Sequence, residues 1–232
     1  DHSRDQIEEG MYFDARPLVC SDEFFAFERK TGDTIWKYRP SFGPIVNSTI
    51  AVADGRVYFL ESTDGTLSNS RTGRHTTATL FRLPAQLTAL DMQTGSLLWK
   101  KPIDLRHIEH TIYLSAVRDR IVLNGSFNQL ISSKSMVHVD ISVFNAKDGS
   151  RIWQRTQNNH THANGQHGEQ DLHPVIVGNR LYCEPFAYDL QTGKSLADWK
   201  WNYGRRSGCG TISASASTFF FRHSHPTMFD LT

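Results

Sequence analysis

The densest run of chemistry-bearing residues is Asn158 to Pro174, NNHTHANGQHGEQDLHP. It holds His160, His162, His167 and His173, with Glu169 and Asp171 between the last two. In an extended segment, His-x-His sets both imidazoles on one face. Neutral imidazoles with a carboxylate form a donor set for a divalent metal such as zinc, manganese, iron or copper. An imidazole also titrates near neutral pH and serves as a general base. The run is therefore a candidate metal or catalytic site. The alternative is a solvated polar loop whose imidazoles bond main-chain groups or water.

A second candidate is Tyr203 to Gly210, YGRRSGCG. Two guanidiniums beside a Gly-Cys-Gly turn suit a carboxylate or a sulfate group. Gly208 and Gly210 let the main chain approach a ligand closely. The alternative is a crowded turn with Arg205 and Arg206 in solvent. His223 and His225, in FFFRHSHPT, repeat the His-x-His pattern. Taken together, the four histidines of the first run with Tyr203 and Arg205 supply a base, an acid and a carboxylate-neutralising cation. That is the equipment of a lyase acting on acidic polysaccharide.

These residues hang between repeated hairpins. Leu87 to Lys100 reads LTALDMQTGSLLWK, an apolar strand, a polar turn and a second strand reaching Trp99. Ala26 to Trp36 reads AFERKTGDTIW, Val143 to Trp153 reads VFNAKDGSRIW, and Ala187 to Trp199 reads AYDLQTGKSLADW. A truncated copy starts at Thr227 (TMFDLT). The turn glycines are Gly32, Gly95, Gly149 and Gly193, separated by 63, 54 and 44 residues. Glycine supplies the positive φ a short hairpin needs, and the Thr or Asp before it bonds the turn main chain. Trp36, Trp99, Trp153 and Trp199 close the second strands, a position suited to contact between neighbouring sheets. A period of about 40–45 residues with short strands predicts an all-β β-propeller of four-stranded antiparallel blades. Long inserted loops account for the wider spacings. Hairpins are predicted at Asp54-Gly55, Arg118-Asp119 and Gly178-Asn179. Glu61 to Gln86 is expected to be a disordered surface loop, with a partner surface as the alternative. Phe127 to Lys134 reads as a polar insertion, and Thr211 to Phe221 as a small-residue strand running into an aromatic one. No segment has helical apolar spacing, so almost no helix is expected.

The repeat segments resemble those of the pyrroloquinoline quinone (PQQ)-type β-propeller family. That family includes quinoprotein alcohol dehydrogenases and a non-enzymatic assembly lipoprotein of the bacterial outer membrane. The resemblance covers residues 17–232, with repeat turns near 28–36, 91–99, 145–153 and 189–199. Residues 1–16 are expected to be a linker or the end of a preceding blade. Eight blades are usual in the family, so the chain is expected to be four to five blades of a longer polypeptide. The resemblance implies a bacterial, periplasmic, cell-envelope or secreted location. It also implies a module that binds a ligand or protein as a scaffold. The enzyme alternatives are a His- or metal-dependent propeller enzyme and a quinoprotein dehydrogenase. PQQ is not supported by a complete site. The quinoprotein reading requires a calcium site of Glu, Asn and Asp and usually an adjacent cysteine pair, whereas Cys20, Cys183 and Cys209 are far apart. One disulfide and three free thiols both remain open.

Composition narrows the partners. The chain has 232 residues and a net charge of +1. No basic run favours nucleic acid, no apolar run reaches a bilayer span, and protein or carbohydrate ligands remain.

Overall fold

The computed structural model describes residues 17–131, 134–162, 173–199, 212–222 and 226–231; at 128–131, 134–136, 159–162, 221, 222, 226 and 227 it describes the main chain. The regular structure of the described residues is almost entirely strand. In chain order the strands are β1 (Leu18–Ser21), β2 (Phe24–Phe27), β3 (Thr34–Tyr38), β4 (Ile45–Ala53), β5 (Arg56–Glu61) and β6 (Arg74–His75). After the single-turn helix α1 (Thr77–Leu80) come β7 (Ala85–Asp91), β8 (Leu97–Ile103), β9 (Ile112–Val117), β10 (Arg120–Ile131), β11 (Lys134–Asn145) and β12 (Arg151–His162). The last six are β13 (Val175–Val177), β14 (Arg180–Cys183), β15 (Phe186–Asp189), β16 (Ser213–Ala214), β17 (Thr218–Arg222) and β18 (Pro226–Asp230).

These strands form five consecutive antiparallel sheets. Sheet I is β2-β3, sheet II is β4-β5-β7-β8, sheet III is β9 to β12, sheet IV is β13-β14-β15 and sheet V is β16-β17-β18. A Tyr188–Ser195 bridge adds a vestigial fourth strand to sheet IV. β1 and β6 extend sheet II past β4. β1 therefore belongs to sheet II and does not pair with the neighbouring β2. The result is an all-β, propeller-like stack of sheets, without a closed ring among the described residues.

The core lies between sheets, because strands covered on both faces must bury both. Trp36, Ile45, Val57, Phe59 and Leu90 join sheet I to sheet II. Leu60, Leu87, Ile121, Leu123 and Phe144 join II to III. Val139, Ile141, Val143, Leu181 and Tyr188 join III to IV, and Tyr182 and Phe219 join IV to V. On β11 the odd positions face sheet IV, and Phe144 faces sheet II. Burial of this kind, at ~25 cal/mol per Å² of apolar surface, is the main force holding sheet to sheet.

At one end of the sheets the repeat turns are alike. Gly32, Gly95, Gly149 and Gly193 have φ of 78°, 70°, 72° and 69°. Each donates its N–H to the carbonyl four residues back, on Glu28, Asp91, Asn145 and Asp189, at 2.8–2.9 Å. Asp91 Oδ1 accepts from Thr94 N at 2.8 Å and Thr94 Oγ1 at 2.9 Å, and Asp189 Oδ1 does the same with Thr192 at 2.7 Å each. The tryptophans then reach forward by one sheet. A Cβ on Gly95 would sit 2.6 Å from the Trp36 ring, on Gly149 2.6 Å from Trp99, and on Gly193 2.7 Å from Trp153. Trp36 Nε1 donates to Met92 O at 2.9 Å, Trp99 Nε1 to Ala146 O at 3.2 Å, and Trp153 Nε1 to Leu190 O at 2.9 Å. Each accepting residue also donates its own N–H to the first hairpin turn of its sheet, on Gly55, Asp119 and Asn179.

Two sequence expectations change. The Glu61 to Gln86 stretch is not a disordered loop. It folds over Leu80 and Phe81, both fully buried, and is tied by Ser62 Oγ to Leu80 O at 2.8 Å and by Arg82 Nε to Asp64 Oδ2 at 2.6 Å. Its polar composition hides the two apolar anchors that order it. Phe127 to Lys134 is a hairpin extension, because β10 and β11 stay in register from Arg120↔Asn145 to Ile131↔Lys134. The small-residue strand and the aromatic one are β16 and β17, separated where the Ser215 hydroxyl accepts from Ser217 N and Thr218 N.

Candidate functional site

The insertions gather at the end of the sheets opposite the repeat turns. Residues 62–84 leave from β5 and return at β7. Residues 104–111 cross from β8 to β9. The β10–β11 hairpin outruns its inner neighbour, since pairing with β9 stops at Gly125↔Ile112. The stretch after β12 returns through His173 to β13.

At this end His107, Asp140 and Thr156 meet. His107 Nε2 lies 2.6 Å from Asp140 Oδ2, and Thr156 Oγ1 donates to Asp140 Oδ1 at 2.5 Å. A carboxylate accepts, so Nε2 is the nitrogen of His107 that donates. Phe127 meets the His107 ring edge-on at 5.3 Å between centroids and stacks on His138 at 5.5 Å. His138 and Ser142 are buried and share Asp140's face of β11, toward sheet II. Below this cluster a cleft of about 550 Å³ runs between β8 and the β11–β12 face. Nearby, Arg106 binds Asp104 through two hydrogen bonds of 2.9 and 2.6 Å and holds its carboxyl well below the usual carboxylate range. Under the 62–84 insertion, hydrogen bonds from Arg82 and Thr66 hold buried Asp64 down at about 2.

Few of the sequence candidates fall where side chains are described. His160 and His162 are on the last turnless stretch of β12, with His162 opposite Met136 across an irregularity in the ladder. His167, Glu169, Asp171, Tyr203, Arg205, Arg206 and Cys209 lie outside the described residues, as do His223 and His225. His173 Nδ1 donates to Pro174 O at 3.0 Å, and its ring lies 4.9 Å from that of Tyr113 on β9, an edge strand of sheet III. Among the described residues no three His, Cys, Asp or Glu groups converge as a metal site.

Cys20 and Cys183 are free and buried. Burial pushes both thiols up to about 12, with Asp22 and Glu184 adding to it. One lies in the core between sheets II and III, the other in the core between III and IV. The described residues therefore do not fit a PQQ site of the kind that uses paired cysteines.

Sequence reasoning missed the His107–Asp140–Thr156 cluster. Its signal was present in MVHVDISVF, where His138, Asp140 and Ser142 alternate with valines and isoleucine. On a half-exposed sheet those polar positions would be solvated. In stacked sheets they face a neighbour, and so they become a lining.

No family model matches the chain. Over 231 residues it is 23% identical to tetrathionate hydrolase of Acidithiobacillus ferrooxidans, covering 87% of this chain and 45% of the relative. The chain thus spans less than half the length of that relative. Among solved structures, a quinohemoprotein alcohol dehydrogenase from Comamonas testosteroni aligns with 82% of this chain and 33% of its own, at 14% identity and TM-score 0.45. A rhamnogalacturonan lyase aligns with 78% of this chain and 42% of its own, at 14% identity and TM-score 0.41. No helix of the described residues is long and apolar enough to cross a membrane.

Proposed function

We propose that this chain is a section of a quinoprotein-like β-propeller of the bacterial cell envelope or exterior. In this reading it binds its ligand at the insertion-bearing end, and the intact protein hydrolyses a small sulfur oxyanion there. The observation that carries this reading is the likeness to tetrathionate hydrolase, which runs through 87% of the chain. It is not confined to one repeat turn, where shared hairpin chemistry would account for it. Tetrathionate bears a sulfonate at each end. Arg205 and Arg206 suit one of them by paired guanidinium donation. The histidines of the 158–174 run suit activation of the attacking water. A divalent metal held by His160, His162, His167, His173, Glu169 and Asp171 would instead supply that water's activation.

The test uses the full-length protein with tetrathionate, following sulfate, thiosulfate and acid release. Release that disappears in Arg205→Gln/Arg206→Gln supports the hydrolase. Saturable binding without release leaves the binding scaffold and removes the hydrolase. Release of unsaturated ends from an acidic polysaccharide, with none of these products from tetrathionate, replaces the sulfur reading by the lyase.

A further inference from the structure

We infer that the cleft between sheets II and III is a separate binding site for an amphipathic organic anion that carries a hydroxyl or amide donor at its far end. The inference stands independently of the hydrolase reading, because it uses none of the same residues.

The cleft has three zones. At the repeat-turn end it is lined by Lys101 and Arg151. A Cβ on Gly149 would lie 2.7 Å from Lys101 Cγ, so the lysine stem crosses the turn beside Ser150 and Arg151. Both cations are exposed. Arg151 is engaged by one neutral hydrogen bond, Nη1 to Gln154 Oε1 at 2.7 Å. Asp148 accepts from Ser150 N at 2.9 Å and Ser150 Oγ at 2.6 Å and is also lowered by the charge of Lys101, so the lysine faces a carboxylate, whereas among the described residues Arg151 is in no ion pair. The floor is apolar, with Leu87, Ile103, Leu105, Ile108, Leu123 and Phe144. At the insertion end stand His107 and Asp140.

The two acids that line the cleft are already matched. Asp140 is held by His107 and Thr156, and Asp104 by Arg106. The positive charge in excess at the turn end is therefore that of Arg151, above an apolar floor. That pattern recognises an anionic head on an apolar body. At the other end His107 Nε2 is engaged with Asp140, so in the neutral imidazole Nδ1 is the acceptor and the ligand there donates. Phe144 and Asp140 are four residues apart on β11, about 13 Å at strand rise. The ligand's anionic group and its donor are therefore separated by about that length. A volume of about 550 Å³ falls within the usual range of small-molecule sites.

The test uses the full chain and 4-(4-hydroxyphenylazo)benzoic acid, a dye with a carboxylate at one end and a phenol at the other, whose absorbance reports binding. Two analogues accompany it: 4-hydroxyazobenzene, which lacks the carboxylate, and 4-phenylazobenzoate, which lacks the hydroxyl. One saturable site is expected. Loss of the carboxylate should weaken binding about tenfold or more, the scale of a charged hydrogen bond. Lys101→Gln/Arg151→Gln should do the same to the dye and nothing to the neutral analogue. His107→Gln should cost about threefold to tenfold, and only for ligands with the hydroxyl. Absence of saturable binding overturns the inference. So does equal binding of dye and neutral analogue by the unmodified protein, a comparison that needs no variant to fold. Dye binding unchanged in the Lys101/Arg151 variant would put the dye elsewhere and also overturns it.

Discussion

At the turn end of the stack, three successive sheets use the same atoms in the same roles. At the insertion end no two sheets are alike. Trp36, Trp99 and Trp153 each lie on the turn glycine of the next sheet and donate to the carbonyl three residues before it. A residue in such a chain of contacts is constrained by two sheets at once, so substitution is felt in both. The opposite end has no such shared contact. Sheet II carries the 62–84 fold-over there, and sheet III a lengthened hairpin with the His107–Asp140–Thr156 cluster. The difference teaches that the regular end holds the sheets in order and the irregular end is free to hold chemistry.

The largest expected effects come from breaking the regular end. Gly32 and Gly95 have nearly the same φ, 78° and 70°. A Cβ on Gly32 meets nothing within 4 Å, whereas on Gly95 it meets three Trp36 ring atoms at 2.6–2.8 Å. Gly32→Ala should therefore cost about 1 kcal/mol, from the left-handed backbone alone. Gly95→Ala adds overpacking against a buried ring and should cost roughly 3 kcal/mol or more. Urea unfolding of the two variants reads this directly. Equal costs would mean that the tryptophan contact does not couple the sheets. Next in size, Trp99→Phe keeps an aromatic ring over Gly149 but loses the bond to Ala146 O. A loss of about 1–2 kcal/mol is expected in the same assay.

Acid separates the ends in a smaller way. At the turns, hydrogen bonds from Thr94 and Thr192 lower the carboxyls of Asp91 and Asp189. At the insertion end Arg82 and Thr66 lower Asp64 to about 2. A carboxyl whose folded pKa lies below its unfolded value stabilises the fold above roughly pH 4. That contribution is lost as pH falls through the folded pKa. For Asp64 the window runs from about pH 4 down to about pH 2. Unfolding midpoints measured through that range should fall less steeply in Asp64→Asn than in the unmodified chain. An unchanged slope would show that the Arg82 contact is not maintained in solution.

What the sequence reveals is local, and what it hides is set by stacking. The turns at Asp54-Gly55, Arg118-Asp119 and Gly178-Asn179 are legible because positive φ and turn hydrogen bonds are decided within a few residues. The regular placement of tryptophan is legible too. Its partner is not, because the acceptors lie 56, 47 and 37 residues downstream, on another sheet. The 62–84 stretch reads as loop by composition, yet two buried side chains, Leu80 and Phe81, suffice to order it. Asp140 and His107 are 33 residues apart, and nothing in either segment announces the other. The His-rich 158–174 run is the opposite case. Its chemistry is conspicuous in sequence, but only His173 among its histidines has a described side chain, and that one contacts Tyr113.

The smallest expected effect falls at the insertion end, and its smallness matters. The His107 side chain is 42% exposed, and its partner Asp140 keeps the Thr156 hydroxyl when the imidazole is gone. An exposed pair of this kind contributes about 0–1 kcal/mol. His107→Gln should thus shift the urea midpoint by no more than that, even though Phe127 loses an edge contact. The same variant should change binding in the cleft while the fold stands. A residue that matters to a ligand but not to stability is what the irregular end should contain. A destabilisation of about 2 kcal/mol or more would reverse the assignment. His107, Asp140 and Thr156 would then be a clasp between sheets II and III, and the two ends would differ in sequence without differing in task.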